Sequence, residues 1–318
     1  MKILVTGCAG FIGSNLVHSL LKQGYKVHGI DNFSTGSAKN LQPFINHPHF
    51  KCFTIDLLNL QHCKDAMLDE PNIVFHLAAN ADIRHGLEHP TKDIEQNIIA
   101  TSNVLEAMRV NDVKRIVFTS TGSVYGDNAP TPTPENAPFP IQTSLYATSK
   151  IAAEGLISSY CTGFGFSAVV FRLVSVLGKG YTHGHVIDFY RQLRRHPEYL
   201  RVLGDGRQCK SYMDVEDCIQ GILLAIAVSY AGRFEIFNLG TDETFTVKQS
   251  VDTITSALML DPDIDYLGGD CGWAGDNTHI QLDCTAIRTE GWAPRFSIKE
   301  GIFRTLNYLQ QVESTPRE

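Results

Sequence analysis

The hydrophobic positions of the first half of the chain switch repeatedly between two periods. Short β-branched or wholly apolar runs occur at 2–6, 27–30, 50–55, 73–77, 114–119 and 166–171, each reading as a buried strand. Between them, apolar residues recur at helical spacing. Phe11, Ile12, Leu16, Val17, Leu20 and Leu21 form one such stripe, and Gly24 stands where a helix stop belongs. Residues 62–68 read as a short helix, 91–110 as a long one carrying Ile94, Ile98, Val104, Leu105 and Met108, and 144–162 as a third. Strands and helices that alternate with short connections predict an α/β fold, a doubly wound parallel sheet with helices on both faces. Functional residues are then expected at the carboxyl ends of the strands. After Leu173 the pattern loosens, with helices expected at 186–195, 214–228, 247–259 and 298–311 and short strands near 201–203 and 234–238.

The first strand runs into a loop with Gly7, Gly10 and Gly13 at G-x-x-G-x-x-G spacing, and the second strand ends on Asp31. Each feature has a task in holding a dinucleotide. Gly7 permits the tight turn, Gly10 lets the backbone approach a pyrophosphate, and Gly13 lets helix and strand pack closely. The helix opening at Phe11 and Ile12 offers N–H groups and a positive dipole end to phosphates. Asp31 can accept from both ribose hydroxyls and repels a 2′-phosphate, which favours NAD over NADP. The expected architecture is therefore Rossmann-like, with residues 1–173 as the NAD-binding domain. Residues 212–230 are expected to return to it, and 174–318 to form mainly a smaller C-terminal substrate-binding lobe.

Composition narrows the partners. The chain has 318 residues, 43% of them hydrophobic, enough for a sizeable core. A formal charge of −7 argues against nucleic acid or an anionic membrane surface as a partner. No apolar run reaches membrane-spanning length, and because the N-terminus reads as a core strand no signal peptide is expected. The eight cysteines are dispersed and form no C-x-x-C, so reduced thiols in a cytoplasmic protein, and no metal site, are the expectation. Cys8 lies inside the glycine loop, where a redox role rests on position alone.

Reactive side chains gather in two stretches. Thr121 and Ser123 follow the strand at 114–119, and Tyr146 precedes Lys150 by one helical turn, on the same helix face. A phenol is a poor base at neutral pH. A neighbouring ammonium and the positive nicotinamide of NAD⁺ are expected to stabilise its phenolate. Lys150 can also hold the nicotinamide ribose, and Thr121 can hydrogen-bond the reacting oxygen.

Taken together, TGCAGFIG, DNFSTG, Asp56-Leu57, HLAA at 76–79, Asn97, STGSVYG and YATSK resemble the extended short-chain dehydrogenase/reductase family, in particular its NAD-dependent nucleotide-sugar epimerase/dehydratase branch. The likeness continues through RLVSVLG, GDGRQCKSYMDVEDC and GDNTHIQLD and so covers nearly the whole chain. It implies that Thr121, Tyr146 and Lys150 are the catalytic trio. Asn32, Asp56, Leu57, Leu77, Ala78, Ala79 and Asn97 are implied to join the glycine loop and Asp31 in holding NAD. Ser123, Ser175, Lys210, Asp276 and Ile280 are implied to meet a nucleotide diphosphate sugar. Three positions depart from the family pattern: Lys210 and Trp273 stand where arginines are usual, and Ser175 where an asparagine is. An ammonium does not replace a bidentate guanidinium, and Arg172, Arg207, His183 and His185 are the candidates to compensate.

The implied activity is 4-epimerisation of a UDP-hexose or UDP-N-acetylhexosamine through a 4-keto sugar, by a homodimer built on the helices at 91–110 and 144–162. A 4-dehydrogenase or 4-keto reductase with net redox change uses the same trio and is the alternative. A 4,6-dehydratase needs an acid and a base after the threonine, where Gly122 and Ser123 cannot ionise. A non-catalytic NAD-binding regulator would have no use for the intact trio.

Overall fold

The computed structural model describes residues 1–81, 88–126, 129–138, 141–227, 234–269, 272 and 277–314. The first half builds β1 (Lys2–Thr6), α1 (Phe11–Lys22), β2 (Lys26–Asp31), β3 (Phe50–Thr54), α2 (Leu60–Asp65) and β4 (Ile73–His76). A long helix α3 follows from Pro90 to Val110, then β5 (Arg115–Thr121), α4 (Leu145–Phe164) and β6 (Ser167–Leu173). The sheet is parallel and seven-stranded, in the order β11-β6-β5-β4-β1-β2-β3, its last member being β11 (Phe234–Leu239). The strand expected near 234–238 thus joins the main sheet at its edge, where a short apolar run gives no sign of which sheet it enters.

Alternation along each strand explains the layers. Leu4, Ile30, Val74, Ile116, Phe118 and Val170 share one apolar cluster with Val104, Leu105 and Met108 of α3 and Ala153, Ile157 and Cys161 of α4. Ile3 and Val5, which the pleat turns to the opposite face, are equally buried. Strands covered on both faces carry the near-continuous apolar runs seen in the sequence.

Contacts divide the chain into two compact units. One comprises Met1–Val124, Ser144–Arg172 and Ile219–Phe237, and the other Tyr125–Thr143, Leu173–Cys218 and Asn238–Glu318. The second unit is made of short pieces. Strand β7 (Ser175–Leu177) pairs with β10 (Tyr212–Asp214), and β8 (Tyr199–Val202) with β13 (Asp263–Tyr266). Strand β9 (Cys209–Lys210) lies between β12 (Phe245–Thr246) and β14 (His279–Ile280). Helices α5 (His185–Arg195), α7 (Val247–Leu258), the short α8 (Thr285–Thr289) and α9 (Ile298–Ser314) supply its apolar cover, while α6 (Val215–Ala227) begins in this unit and ends in the first. Two-residue strands carry no periodicity, which is why the sequence shows so few of them. A buried amide gathers the loops: Asn238 donates to the Thr133 and Asp283 carbonyls at 2.8 and 3.0 Å and accepts from the Tyr125 hydroxyl at 2.8 Å.

Candidate active site

The glycine loop is shaped by contacts that no side chain could share. Gly7 has φ +69°, and a β-carbon there would lie 2.8 Å from the Ala78 nitrogen. At Gly13 a β-carbon would lie 2.0 Å from the Gly7 carbonyl oxygen, so α1 can approach β1 only without one. Helix α1 opens on Gly10 with no side-chain cap, leading directly into Phe11 and Ile12. Asp31 is buried, and its two oxygens accept from the backbone N–H groups of Ala9 and Phe33, each at 2.8 Å. Each oxygen retains a lone pair for a ribose hydroxyl. Asn32 donates to Asp56 at 3.3 Å, while Asp56 accepts from the Leu58 N–H at 2.9 Å and Leu57 is buried beside it. Gly7, Gly10, Phe11, Ile12, Gly13, Asp31, Asn32, Asp56 and Leu57 are thus set around the strand ends of one unit. A glycine loop whose turn and approach to α1 exclude β-carbons at Gly7 and Gly13, opening on an uncapped helix N-terminus with a buried carboxylate beyond it, fits a dinucleotide.

Behind the cradle runs a buried polar chain. Leu77 donates to the Thr6 carbonyl, and Ala78, followed by Ala79, donates to the Thr6 hydroxyl at 3.2 Å. Thr6 Oγ1 lies 2.7 Å from His76 Nδ1, and His76 Nε2 lies 2.9 Å from Thr101 Oγ1. Thr101 spends its own proton on the Asn97 carbonyl at 2.6 Å, so it must accept from His76 Nε2–H. Nδ1 is then an acceptor, and Thr6 donates to it. Burial, with the Lys150 charge nearby, holds His76 down at about 3, consistent with that neutral tautomer. Asn97 lies in a π-helical turn, Ile94–Ile99, within α3. Its side chain accepts from the Asn80 N–H at 2.8 Å and donates to Ser149 Oγ at 2.8 Å, while Ser149 donates to the Tyr146 carbonyl at 2.7 Å. The π-helical turn is thereby tied by side chains to the helix bearing Tyr146.

Ser144 caps α4 through the Ala147 N–H at 3.1 Å, which sets Tyr146 in the first turn and Lys150 one turn on. The Thr121 hydroxyl, at the carboxyl end of β5, hydrogen-bonds the Tyr146 phenol, and it also accepts from the N–H of buried Ser123 at 3.2 Å. The sequence reading has Lys150 and the positive nicotinamide of NAD⁺ together lower the phenol's pKa. The protein's own groups push the other way. Burial, reinforced by the Asp93 carboxylate, pushes Tyr146 up to about 12, and the Thr121 hydrogen bond only moderates this. Lys150 is 2% exposed, with Nζ 4.0 Å from the centre of the Phe118 ring. Burial drives it down to about 7 against the pull of Glu154. Glu154 is itself buried and held bidentately by Arg172 at 3.2 and 2.7 Å, with Ser120 donating to one of the same oxygens.

Of the remaining predicted residues, Ser175, Lys210 and Ile280 belong to the second unit. Ser175 is exposed on β7, opposite Tyr212. Lys210 and Ile280 are brought together as register partners of β9 and β14, and the Ser211 N–H donates to the Ile280 carbonyl at 2.7 Å. Trp273 and Asp276 lie outside the described residues. Among the proposed substitutes for the missing guanidiniums, Arg172 is corrected: its fork is spent on Glu154 and it is 1% exposed. Arg207 is exposed beside Asp205, and His183 meets Thr182. His185 packs 5.2 Å from the Tyr212 ring and is held down at about 4 by burial and Lys210. Among the described residues no group of three or more His, Cys, Asp or Glu could hold a metal ion, and no helix is long and apolar enough to cross a membrane.

The sequence reading missed Asn80, Asp93, Ser149 and Glu154. Glu154 was discoverable, because it continues the Tyr146, Lys150 face at i+4. Asp93 stands four residues before Asn97 in the same way. Asn80 comes from the loop after β4 and had no periodic signal. A lysine with a folded pKa of about 7 against an ordinary 10.5 binds fewer protons when folded. Its stability cost is therefore complete below pH 7, shrinks as pH rises, and vanishes above the unfolded value. Lys150→Met should raise the melting temperature more at pH 6 than at pH 9 while abolishing activity. Equal gains at both pH values would show that no buried ammonium is being removed.

Comparison with known proteins identifies the family. The model of the NAD dependent epimerase/dehydratase family matches residues 3–240. A UDP-glucose 4-epimerase of Mycolicibacterium smegmatis is 30% identical over 98% of this chain and 99% of its own length. The crystal structure of Thermus thermophilus UDP-glucose 4-epimerase in complex with NAD superimposes with a TM-score of 0.86 at 30% identity, covering 98% of this chain and 99% of that one. A Bacillus cereus UDP-glucuronic acid 4-epimerase, in complex with UDP-glucuronic acid and NAD, gives 0.90 at 26% identity over 98% and 100%. The glycine cradle, the Thr121–Tyr146 pair and the buried Lys150 are thus carried by a chain that belongs to the NAD-dependent epimerase/dehydratase family, with NAD as its cofactor.

Proposed function

We propose that this chain is a 4-epimerase of a UDP-hexose or UDP-N-acetylhexosamine, acting through a 4-keto sugar. The observation that carries the reading is the Thr121 hydroxyl on the Tyr146 phenol, one helical turn from a buried Lys150, with no ionisable group at Gly122 or Ser123. The three relatives are named as 4-epimerases, two for UDP-glucose and one for UDP-glucuronic acid. Position 4 and the UDP carrier are what their names share.

When bound, NAD supplies a reversible hydride acceptor that no side chain offers. Gly7, Gly10, Phe11, Ile12 and Gly13 would take its pyrophosphate, Asp31 and Asn32 its ribose, and Asp56 and Leu57 its adenine. Leu77, Ala78, Ala79 and Asn97 would line it. Tyr146, as phenolate, takes the proton of the C4 hydroxyl and later returns it, and the Thr121 hydrogen bond favours that phenolate. Because burial and Asp93 hold the phenol at about 12, the chain alone keeps it protonated at neutral pH. Ionisation is reserved for the liganded site. Lys150 contributes a charge that is available below about pH 7 without a partner, and that anionic ligands would strengthen.

For the sugar nucleotide, Ser123, Ser175, Lys210 and Asp276 are the proposed contacts. The register of Lys210 with Ile280 favours a phosphate-binding ammonium next to an apolar gate. The seven described cysteines are free, in keeping with a cytoplasmic location. Ile94 (47% exposed), Ile99 (44%), Val110 (45%) and Phe164 (48%) leave apolar area on α3 and α4, which supports a homodimer through these helices.

Tyr146→Phe should lower turnover by roughly 10²- to 10⁴-fold with NAD binding retained, the usual worth of a general base; near-normal turnover would remove the assigned mechanism. Isoleucine at the gate leaves room for a C2 acetamido group. Ile280→Tyr should accordingly depress kcat/KM for the N-acetylated substrate selectively, whereas equal losses on both sugars would make Ile280 a packing residue. Sedimentation at micromolar concentration should show a dimer, and a monomer would contradict the helix-face pairing.

A further inference from the structure

Cys8 and Cys52 are 44 positions apart in sequence, yet their sulfurs stand 3.8 Å apart, in thiol–thiol contact. Three features of the fold bring them together. Cys8 follows Gly7 at the end of β1, its N–H reaching the Ile30 carbonyl at 3.3 Å, and its side chain leans over β2. It does so at Gly29, where a β-carbon would lie 2.6 Å from the Cys8 sulfur and 2.9 Å from its Cβ. Gly29 is in turn the register partner of Cys52 on β3, and adjacent residues of parallel strands project on the same face. The missing side chain at Gly29 is therefore the gap through which the two sulfurs meet.

The two thiols differ in access. Cys8 is completely buried, whereas Cys52 is half-buried on β3, the outermost strand of the sheet. Their hydrogen bond favours the anion on Cys52 and opposes it on Cys8, whose pKa is raised further by burial. This is the division of labour between an attacking and a resolving cysteine.

We propose that Cys8 and Cys52 form an oxidative modification site that hydrogen peroxide converts to a disulfide, and that this cross-link weakens dinucleotide binding. The Cys52 thiolate attacks the peroxide oxygen. The O–O bond breaks, a sulfenic acid forms on Cys52, and the leaving hydroxide takes up a proton to become water. The Cys8 thiol then attacks the Cys52 sulfur, expelling a second water as the S–S bond forms. Two thiols are oxidised by two electrons in total and one peroxide is reduced to two waters. The sulfurs must close from 3.8 Å to about 2 Å, which draws Cys8 toward β3. The neighbouring residue is Ala9, whose N–H is bonded to Asp31 and whose carbonyl accepts from Ser37 at 3.0 Å and Asn40 at 2.9 Å. Moving Cys8 therefore disturbs the loop and carboxylate that fit the cofactor.

The cross-link itself is independent of the sugar chemistry proposed above, and its test is read by mass and by binding. The full chain and its Cys52→Ser variant are treated with hydrogen peroxide, denatured, alkylated and digested for mass spectrometry. In parallel, NAD binding is titrated before treatment, after it, and after dithiothreitol. The expected result is a Cys8-to-Cys52 linked peptide in the wild type, reversed by dithiothreitol. NAD affinity should fall by about tenfold or more, the worth of one charge-assisted hydrogen bond, and return on reduction. Cys52→Ser should bind NAD as the wild type does and lose nothing on oxidation. Two separately alkylated cysteines, a Cys52 sulfinic acid with Cys8 still free, or a cross-linked protein with unchanged NAD affinity would each overturn the proposal.

Discussion

A lysine ammonium taken almost completely out of water is the constraint around which the rest of the site is arranged. Lys150 is 2% exposed, and removing an ion of that size from solvent costs several kcal/mol even after relaxation. The protein offsets this in two ways. The Phe118 ring presents its face at 4.0 Å, and Glu154, one turn along the same helix, supplies the opposite charge. Glu154 is in turn balanced by the Arg172 fork from β6, and Ser120 on β5 satisfies a further lone pair. Strands β5 and β6 and helix α4 are thereby tied through one charge network rather than through apolar contact alone. The cost that remains appears as the depressed pKa of Lys150.

The second tie is neutral and runs through Asn97. A π-helical turn in α3 turns that side chain to the Asn80 backbone and to Ser149, and Ser149 reaches the Tyr146 carbonyl. The same turn presents its carbonyl to Thr101, which fixes the proton on His76 Nε2 and leaves Thr6 to donate to Nδ1. The strand end at Thr6, the loop at Ala78 and the helix bearing Tyr146 are consequently parts of one hydrogen-bonded body. Buried networks of this kind favour a single arrangement only when every member is satisfied. A tyrosine whose reach to the Thr121 hydroxyl must be kept benefits from that rigidity.

Much of the first unit was legible from residue types alone, because long apolar runs and three spaced glycines have few alternative readings. The glycine at 13 is legible because only the absence of a β-carbon permits the approach to Gly7. The Tyr146–Lys150 spacing is legible because helix geometry sets it. Two things were not. The direction of the Tyr146 pKa depends on how far burial and Asp93 outweigh other charges, and no spacing rule says how deeply a side chain is buried. Arg172 looked like a free cation for phosphate, and only the fold reveals Glu154 beneath it. In the second unit, strands of two or three residues carry too little pattern to be seen, so β7, β9, β10, β12 and β14 emerged only as pairings. The strand Phe234–Leu239 was found in its place along the chain but not in its sheet, since sheet order is a property of tertiary packing.

The central claim is that Tyr146 moves only a hydroxyl proton while the hydrogen on the sugar's C4 leaves and returns without meeting solvent. It is tested most directly by running the reaction on a UDP-hexose in D₂O and following the sugar ring protons by NMR. The account predicts inversion at C4 with the C4 hydrogen fully retained and no deuterium at C5 or C6. Deuterium entering C4 would show that a side-chain base, not a hydride acceptor, handles that hydrogen, and deuterium at C5 or C6 would show elimination chemistry instead; either result would contradict it.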